Sequence, residues 1–172
     1  MEIIAIDNGV TGTITIIRND GLVSCCKMPV RKCLDYTKTK HYVTRVDFNE
    51  LCKILANTFM SQAYIERPMV NPMRWKATIS AVRCLESVLL ALEICGIGYE
   101  FLDSKEWQKV MIPQAKTVEY IDKSGKKRRK QDKAEIKTLA KQIATRMFPK
   151  IMAECDEYAD SLLMGEYIKR RG

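Results

Sequence analysis

Three short segments of the chain place carboxylates where carboxylates are costly. Asp7 closes the apolar run of "EIIAID" and Glu66 closes that of "AYIERP". Asp156, Glu157 and Asp160 head the otherwise apolar "CDEYADSLLMGEY". An acid at the end of a run that becomes a central strand is partly desolvated, and expensive unless something pairs with it. In the third segment Asp156 and Asp160 stand four apart, so a helix puts them on one face, which continues into Leu163 and Tyr167. Docked through those residues, the helix turns its acidic first turn toward the sheet end from which Asp7 and Glu66 project. Carboxylates gathered in this way raise one another's pKa. A hard divalent cation relieves the repulsion, because Mg²⁺ takes oxygen ligands and keeps waters for a substrate phosphate. Two such ions activate a water and stabilise the leaving oxygen of a phosphodiester. Each acid alone has a plainer reading: Asp7 as a turn residue before Asn8, Glu66 in a local pair with Arg67, Asp156 and Glu157 as helix-dipole acids. The combination, in this order, favours the chemistry.

The elements that must position these acids follow from the hydrophobic pattern. "EIIAID", "TGTITIIRND" and "GLVSCCKMP", with the turn signal Asn19-Asp20-Gly21, read as an antiparallel three-strand meander. "RKCLDYTKTKHYVTR" is polar and mixed and reads as a loop. Asp47 and Glu50 form a capping box for a helix carrying Leu51, Ile54, Leu55 and Phe59. "AYIERP" is a fourth strand, residues 77–95 a helix stopped by Gly96, and "GYEFLD" a fifth strand. A short helix capped by Ser104 follows, then a basic loop at about 112–131. Asp132 and Glu135 then cap a helix that ends at Phe148-Pro149, and a last helix starts near Cys155. The pattern predicts one α/β domain over residues 1–172, with a mixed five-stranded sheet of meander plus parallel strands and helices on both faces.

The net charge of +8 points to a polyanionic partner. It is uneven: from Lys116 to Lys133 there are eight Lys/Arg against three Asp/Glu, and the segment lacks the apolar face of a membrane-surface helix. A loop contacting nucleic-acid phosphates fits, with Lys126, Lys127, Arg128, Arg129 and Lys130 as its core. No apolar run reaches membrane-spanning length, and the N-terminus reads as a strand and not a signal peptide. Seven scattered cysteines argue for a reducing, intracellular compartment. Zinc on Cys25, Cys26, Cys33 and His41 is disfavoured, since adjacent cysteines on a strand point to opposite faces.

The segments "IAIDNGVTGTITI", "YIERP", "FLDSKEWQK" and "CDEYADSLLMGEY" together resemble the RuvC-type Holliday junction resolvases of the RNase H-like superfamily, in particular the phage, poxviral and mitochondrial branches. The resemblance spans nearly the whole chain. It implies an RNase H-like fold and a Mg²⁺-dependent, structure-selective endonuclease, with two ions and Mn²⁺ able to substitute. It also implies a homodimer that cuts paired strands of branched DNA at a four-way junction, here in a viral or phage-like version acting in a host or bacterial cytoplasm. The metal-binding set falls on Asp7, Glu66, Asp160 and either Asp156 or Glu157, with Asp156 favoured as the shorter acid. Lys105 or Lys109 corresponds to a basic residue near the site. The segment "RPMVNPMRW" is expected to probe the junction, through Arg67, Met69, Arg74 and Trp75, though Met69 and Trp75 packed in a core is an equal alternative. Asn8 stands where many bacterial members have proline, and the basic insertion is longer than in the compact bacterial form.

Three rivals differ in class. An actin-like or sugar-kinase phosphotransferase shares the look of "DNGVTGT", but needs a second domain and a second glycine-rich motif. A non-catalytic nucleic-acid-binding module of the same fold is opposed by the intact Asp7, Glu66 and Asp160. A nuclease for RNA–DNA hybrids stays open.

Overall fold

Runs of isoleucine and threonine, β-branched residues that suit a pleated half-buried surface, form the first strands. In the computed structural model, which describes residues 1–113, 117–121 and 125–172, β1 (Glu2–Ile6), β2 (Thr13–Ile17) and β3 (Val23–Lys27) make the antiparallel meander. A hairpin of β4 (Val30–Leu34) and β5 (Tyr42–Val46) follows, then α1 (Phe48–Ala56), β6 (Ser61–Glu66), α2 (Trp75–Ile94) and β7 (Gly98–Leu102). The remainder is α3 (Ser104–Met111), a hairpin of β8 (Thr117–Ile121) and β9 (Lys127–Gln131), α4 (Lys133–Met147), α5 (Pro149–Glu154) and α6 (Ala159–Arg171). The main sheet has the order β3-β2-β1-β6-β7, with β6 parallel to both β1 and β7. This is the expected mixed five-stranded α/β arrangement.

Period-two alternation assigns the faces of the sheet. Ile4 and Ile6 join Ile14, Ile65, Leu51, Leu55, Val88 and Leu92 in one core, beneath α1 and α2. Ala5 joins Trp107, Ile136, Leu162 and Met164 in the other, beneath α3, α4 and α6. Each fully buried isoleucine or leucine contributes about 1.5–3 kcal/mol, so β1 is anchored from both sides and Asp7, its next residue, has little freedom.

Four expectations are corrected. The polar stretch after β3 is the β4–β5 hairpin and not a loop, paired from Val30↔Val46 to Leu34↔Tyr42. It escapes a hydrophobic reading because it lies outside the main sheet and buries little besides Val46. The basic segment at 112–131 likewise holds a hairpin, β8–β9, and not only loop. α3 is capped by Asp103, whose side chain accepts from the Lys105 backbone N–H, and not by Ser104. The last helix begins at Ala159, after a 3₁₀ turn over Asp156–Tyr158, and not near Cys155. Asp47 and Asp132 cap α1 and α4 as expected.

Two contacts fix α6 against the sheet. Gly165 lets the helix close on β1 and β2: a Cβ there would lie 3.0 Å from Ile17 Cδ1 and 3.6 Å from Ala5 Cβ. Nearby, the buried Thr13 and Thr15 hydroxyls each donate to Ser161 Oγ at 2.8 Å, and Ser161 donates to the Tyr158 carbonyl at 3.2 Å. Replacing Ser161 with alanine leaves two buried threonine hydroxyls without that partner. We expect Ser161→Ala to cost about 2 kcal/mol and to lower Tm by roughly 4–8 °C in thermal unfolding. A triple variant that also carries Thr13→Val and Thr15→Val should melt closer to wild type, because no orphaned hydroxyl of the trio remains.

Candidate active site

Register brings the first two acids together. Ile6 lies opposite Ile65 in the parallel pairing of β1 with β6, so Asp7 and Glu66, each the next residue, leave the sheet side by side. The turn after Asp7 is tightly built. The Asp7 N–H donates to the Thr13 carbonyl at 3.0 Å, and the Gly12 N–H to the Gly9 carbonyl at 2.9 Å. A Cβ on Gly12 would fall 1.9 Å from the Asp7 carbonyl oxygen, so only glycine allows this closure. The Asn8 side-chain amide donates to the Ala81 carbonyl at 3.2 Å, tying the turn to α2, while its own Oδ1 is buried without a partner.

Asp7 and Glu66 act on each other electrostatically, and the pKa of each is raised. Burial, then the negative charge of Asp160, pushes Asp7 from its ordinary 3.8 up to about 6. Burial, then the charge of Asp7, pushes Glu66 from 4.5 up to about 7. Asp160, on the first turn of α6, is raised by burial and drawn back by Lys137 and Lys141. Trp107, fully buried on α3, donates its indole N–H to Glu66 Oε1 at 3.2 Å. The site is thus three half-buried acids with raised pKa values, an indole orienting one of them, and the α4 ammonium of Lys137 acting on Asp7 and Asp160.

The other expected residues lie elsewhere. Asp156 is exposed and ion-paired with Lys141, which lowers its pKa, and Glu157 is paired with Lys27 at 2.5 Å. The 3₁₀ turn before α6 breaks the helical phase that would have put Asp156 on the face of Asp160. Lys105 and Lys109 are exposed on α3. Trp107 is the residue of that helix that reaches the acids, and two residues either way is about 200° around a helix, so both lysines face away from it. Met69 and Trp75 are 66% and 65% exposed, which removes the packed alternative for both. Arg67 and Arg74 are exposed on the same segment after β6. Lys126 and Lys127 are exposed at the β8–β9 hairpin. Arg128, Arg129 and Lys130 belong to β9, and their side chains lie outside the described residues.

Sequence reading passes over Trp107 and Lys137. Trp107 carries a signal, as an isolated tryptophan in an otherwise polar short helix. Lys137 carries none that separates it from an ordinary solvated lysine. The donor set, hard carboxylate oxygens with too few cations, suits a divalent cation such as Mg²⁺. Among the described residues, however, no three potential ligands are drawn into a ready metal cage. All seven cysteines are free. No helix among the described residues is long and apolar enough to cross a membrane.

No protein-family model matches the chain, and no curated protein matches it. Solved structures do match the fold. One is T. thermophilus RuvC in complex with a Holliday junction substrate, aligned over 100% of this chain and 97% of that one with a TM-score of 0.55 at 12% identity. Another is Thermus thermophilus RuvC, over 99% and 97% with a TM-score of 0.52 at 12% identity. The chain therefore has the same α/β fold as these RuvC structures. At this identity the likeness is one of fold alone.

The raised carboxyls make a prediction. A carboxyl whose pKa rises on folding stabilises fully below its ordinary value, and that contribution is lost as pH climbs through the folded value. Here the loss runs from about pH 4 to about pH 7, with the folded values of about 6 and about 7. In EDTA, Asp7→Asn should therefore melt above wild type at pH 8, by about 2 kcal/mol or roughly 4–8 °C. The gap should close by pH 4. A gap independent of pH would mean that ionisation of Asp7 is not its source.

Proposed function

We propose that this chain is a metal-dependent endonuclease acting on branched DNA, with four-way junctions as its substrate. The observation that carries the reading is the Asp7–Glu66 pair with Asp160 beside it, held at the end of a RuvC-like sheet. Two bound Mg²⁺ ions, with Mn²⁺ substituting, would supply an activated water and stabilise the departing 3′-oxygen of the phosphodiester. Asp7, Glu66 and Asp160 would hold them. Holding them needs both carboxyls of the pair ionised, and with Glu66 raised to about 7 this favours neutral to alkaline pH. Trp107 keeps Glu66 Oε1 in a fixed direction. A fourth oxygen would come from Asp156 or Glu157, whichever exchanges its lysine for the site. Lys137 offsets part of the charge before substrate arrives.

The exposed segment with Arg67, Met69, Arg74 and Trp75 leaves the sheet directly after Glu66, as a probe of the junction centre would need to. The cationic β8–β9 hairpin would contact phosphates without reading sequence. Symmetric cutting of two strands needs two such sites, so the working form is a homodimer. Membership of the phage- or virus-like branch rests on the sequence motifs and the long basic insertion.

The test is cleavage of a synthetic four-way junction with Mg²⁺, beside linear duplex, flap and RNA–DNA hybrid. We expect paired, ligatable nicks in the junction. Asp7→Asn, Glu66→Gln and Asp160→Asn should each lower the rate by about 100-fold or more, whereas Asp156→Asn and Glu157→Gln should each cost less than about tenfold, because the remaining acid can still supply the fourth oxygen. Cutting of the hybrid alone would make it an RNase H-type enzyme, and tight binding without cutting a binding module. Neutralising Lys126, Lys127, Arg128 and Arg129 together should weaken junction binding and reduce the slope of log K against log salt by about three. An unchanged slope would remove the hairpin from the interface.

A further inference from the structure

The β4–β5 hairpin and α2 flank a groove of about 1150 Å³, of whose lining the reading above uses only Trp75. Its walls combine two kinds of side chain. Tyr36, Tyr42 and Trp75 are aromatic and stand 83%, 70% and 65% exposed. Arg31, Arg45, Lys76 and Arg83 are cationic, against Asp35 and Glu86 on the acidic side. Among the described residues none of the four cations has a carboxylate partner, and Arg83 lies 5.8 Å over the ring of Tyr36, joining the hairpin tip to the helix. Val10, in the turn that follows Asp7, also lines the groove.

We propose that this groove holds an unpaired nucleic-acid strand leading away from the carboxylate site. The inference rests on the nucleic-acid reading above and adds the feature of the substrate that is recognised. Exposed rings argue for unpaired bases: duplex bases are already stacked on one another and present only their edges, whereas an open strand lays its base faces on aromatic side chains. The surplus of unpartnered cations suits a phosphate backbone threading between the rings. A purely apolar partner helix would leave those cations buried without partners, at a cost. A branched substrate supplies such a strand wherever its arms open next to the scissile phosphate.

The test uses full-length Asp7→Asn protein, which is not expected to cut, and a fluorescein-labelled oligo-dT of about 15 nucleotides followed by anisotropy. An oligo-rU of the same length and a blunt duplex run in parallel. We expect oligo-dT or oligo-rU to bind, with the tighter of the two naming the sugar. Tyr42→Ala on the hairpin and, separately, Trp75→Ala on the helix should each weaken binding about tenfold. The blunt duplex should be affected less than about threefold. Two variants on opposite walls, each checked for an unchanged melting temperature, guard against a misfolded hairpin. Unaltered oligonucleotide binding in both variants would overturn the proposal. So would equal losses on single strand and duplex, which would leave phosphate contact alone, or a changed oligomeric state with binding intact, which would give the groove to a second copy of the chain. Junction cutting by wild-type protein from the same preparation is scored separately, so failure of the groove and failure of the nuclease reading give different results.

Discussion

Two parallel strands ending side by side in carboxylates is the constraint on which the rest of this structure depends. Asp7 and Glu66 come from β1 and β6, neighbours at the middle of the sheet, where Ile6 and Ile65 are fully buried. Placing two acids there works against folding, since burial and mutual repulsion both disfavour their charged forms. The chain tolerates the cost through local devices: the indole of Trp107, and a Gly12 that lets the turn fold over the Asp7 carbonyl. Trp107 acts from within the core, whereas Gly12 has no side chain to add to it. Each holds an acid in place, which is the pattern expected where local stability is given up for a site.

The third acid is positioned by different means. Asp160 owes its place to α6, and α6 is held by neutral contacts, the close approach at Gly165 and the hydroxyl trio of Thr13, Thr15 and Ser161. Ser161 is the residue after Asp160, so the network that docks the helix also fixes the acid. Because these contacts carry no charge, they do not change when the acids gain or lose protons or meet a cation. The outer acids behave oppositely. Asp156 and Glu157 are tied to Lys141 and Lys27 by exposed ion pairs, which are weak and salt-sensitive.

Much of this is legible in the sequence because its physics is local. Runs such as Ile3-Ile4-Ala5-Ile6 and Thr13-Ile14-Thr15-Ile16 declare strands, and Asp47 and Asp132 declare helix starts through the hydrogen bonds that they accept. Glu66 can be paired with Asp7 from order alone, because alternating strands and helices lead to parallel neighbours. Phase and surroundings are what the sequence hides. Periodicity puts Asp156 on the face of Asp160 because it does not reveal how far one 3₁₀ turn shifts the helix. Lys105 and Lys109 stand out over Trp107 because they are charged, whereas the direction of α3 decides which residue reaches the acids. The β4–β5 hairpin escapes notice because strands outside the main sheet, with little to bury, carry almost no hydrophobic pattern.

Charge is divided in the same way as structure. The acids sit where the sheet ends and the core makes them costly, while the cations lie on peripheral elements, the β8–β9 hairpin, the outer wall of α2 and the β4–β5 hairpin. A polyanion approaching such a surface meets cations first and can reach the acids only where something offsets them. Lys137 offsets Asp7 and Asp160 in part. Glu66, pushed up to about 7 by burial and then by the charge of Asp7, is the less charged of the sheet pair near neutrality. It is therefore where the pair repels a polyanion least, and the exposed segment beginning at Arg67 leaves the sheet there.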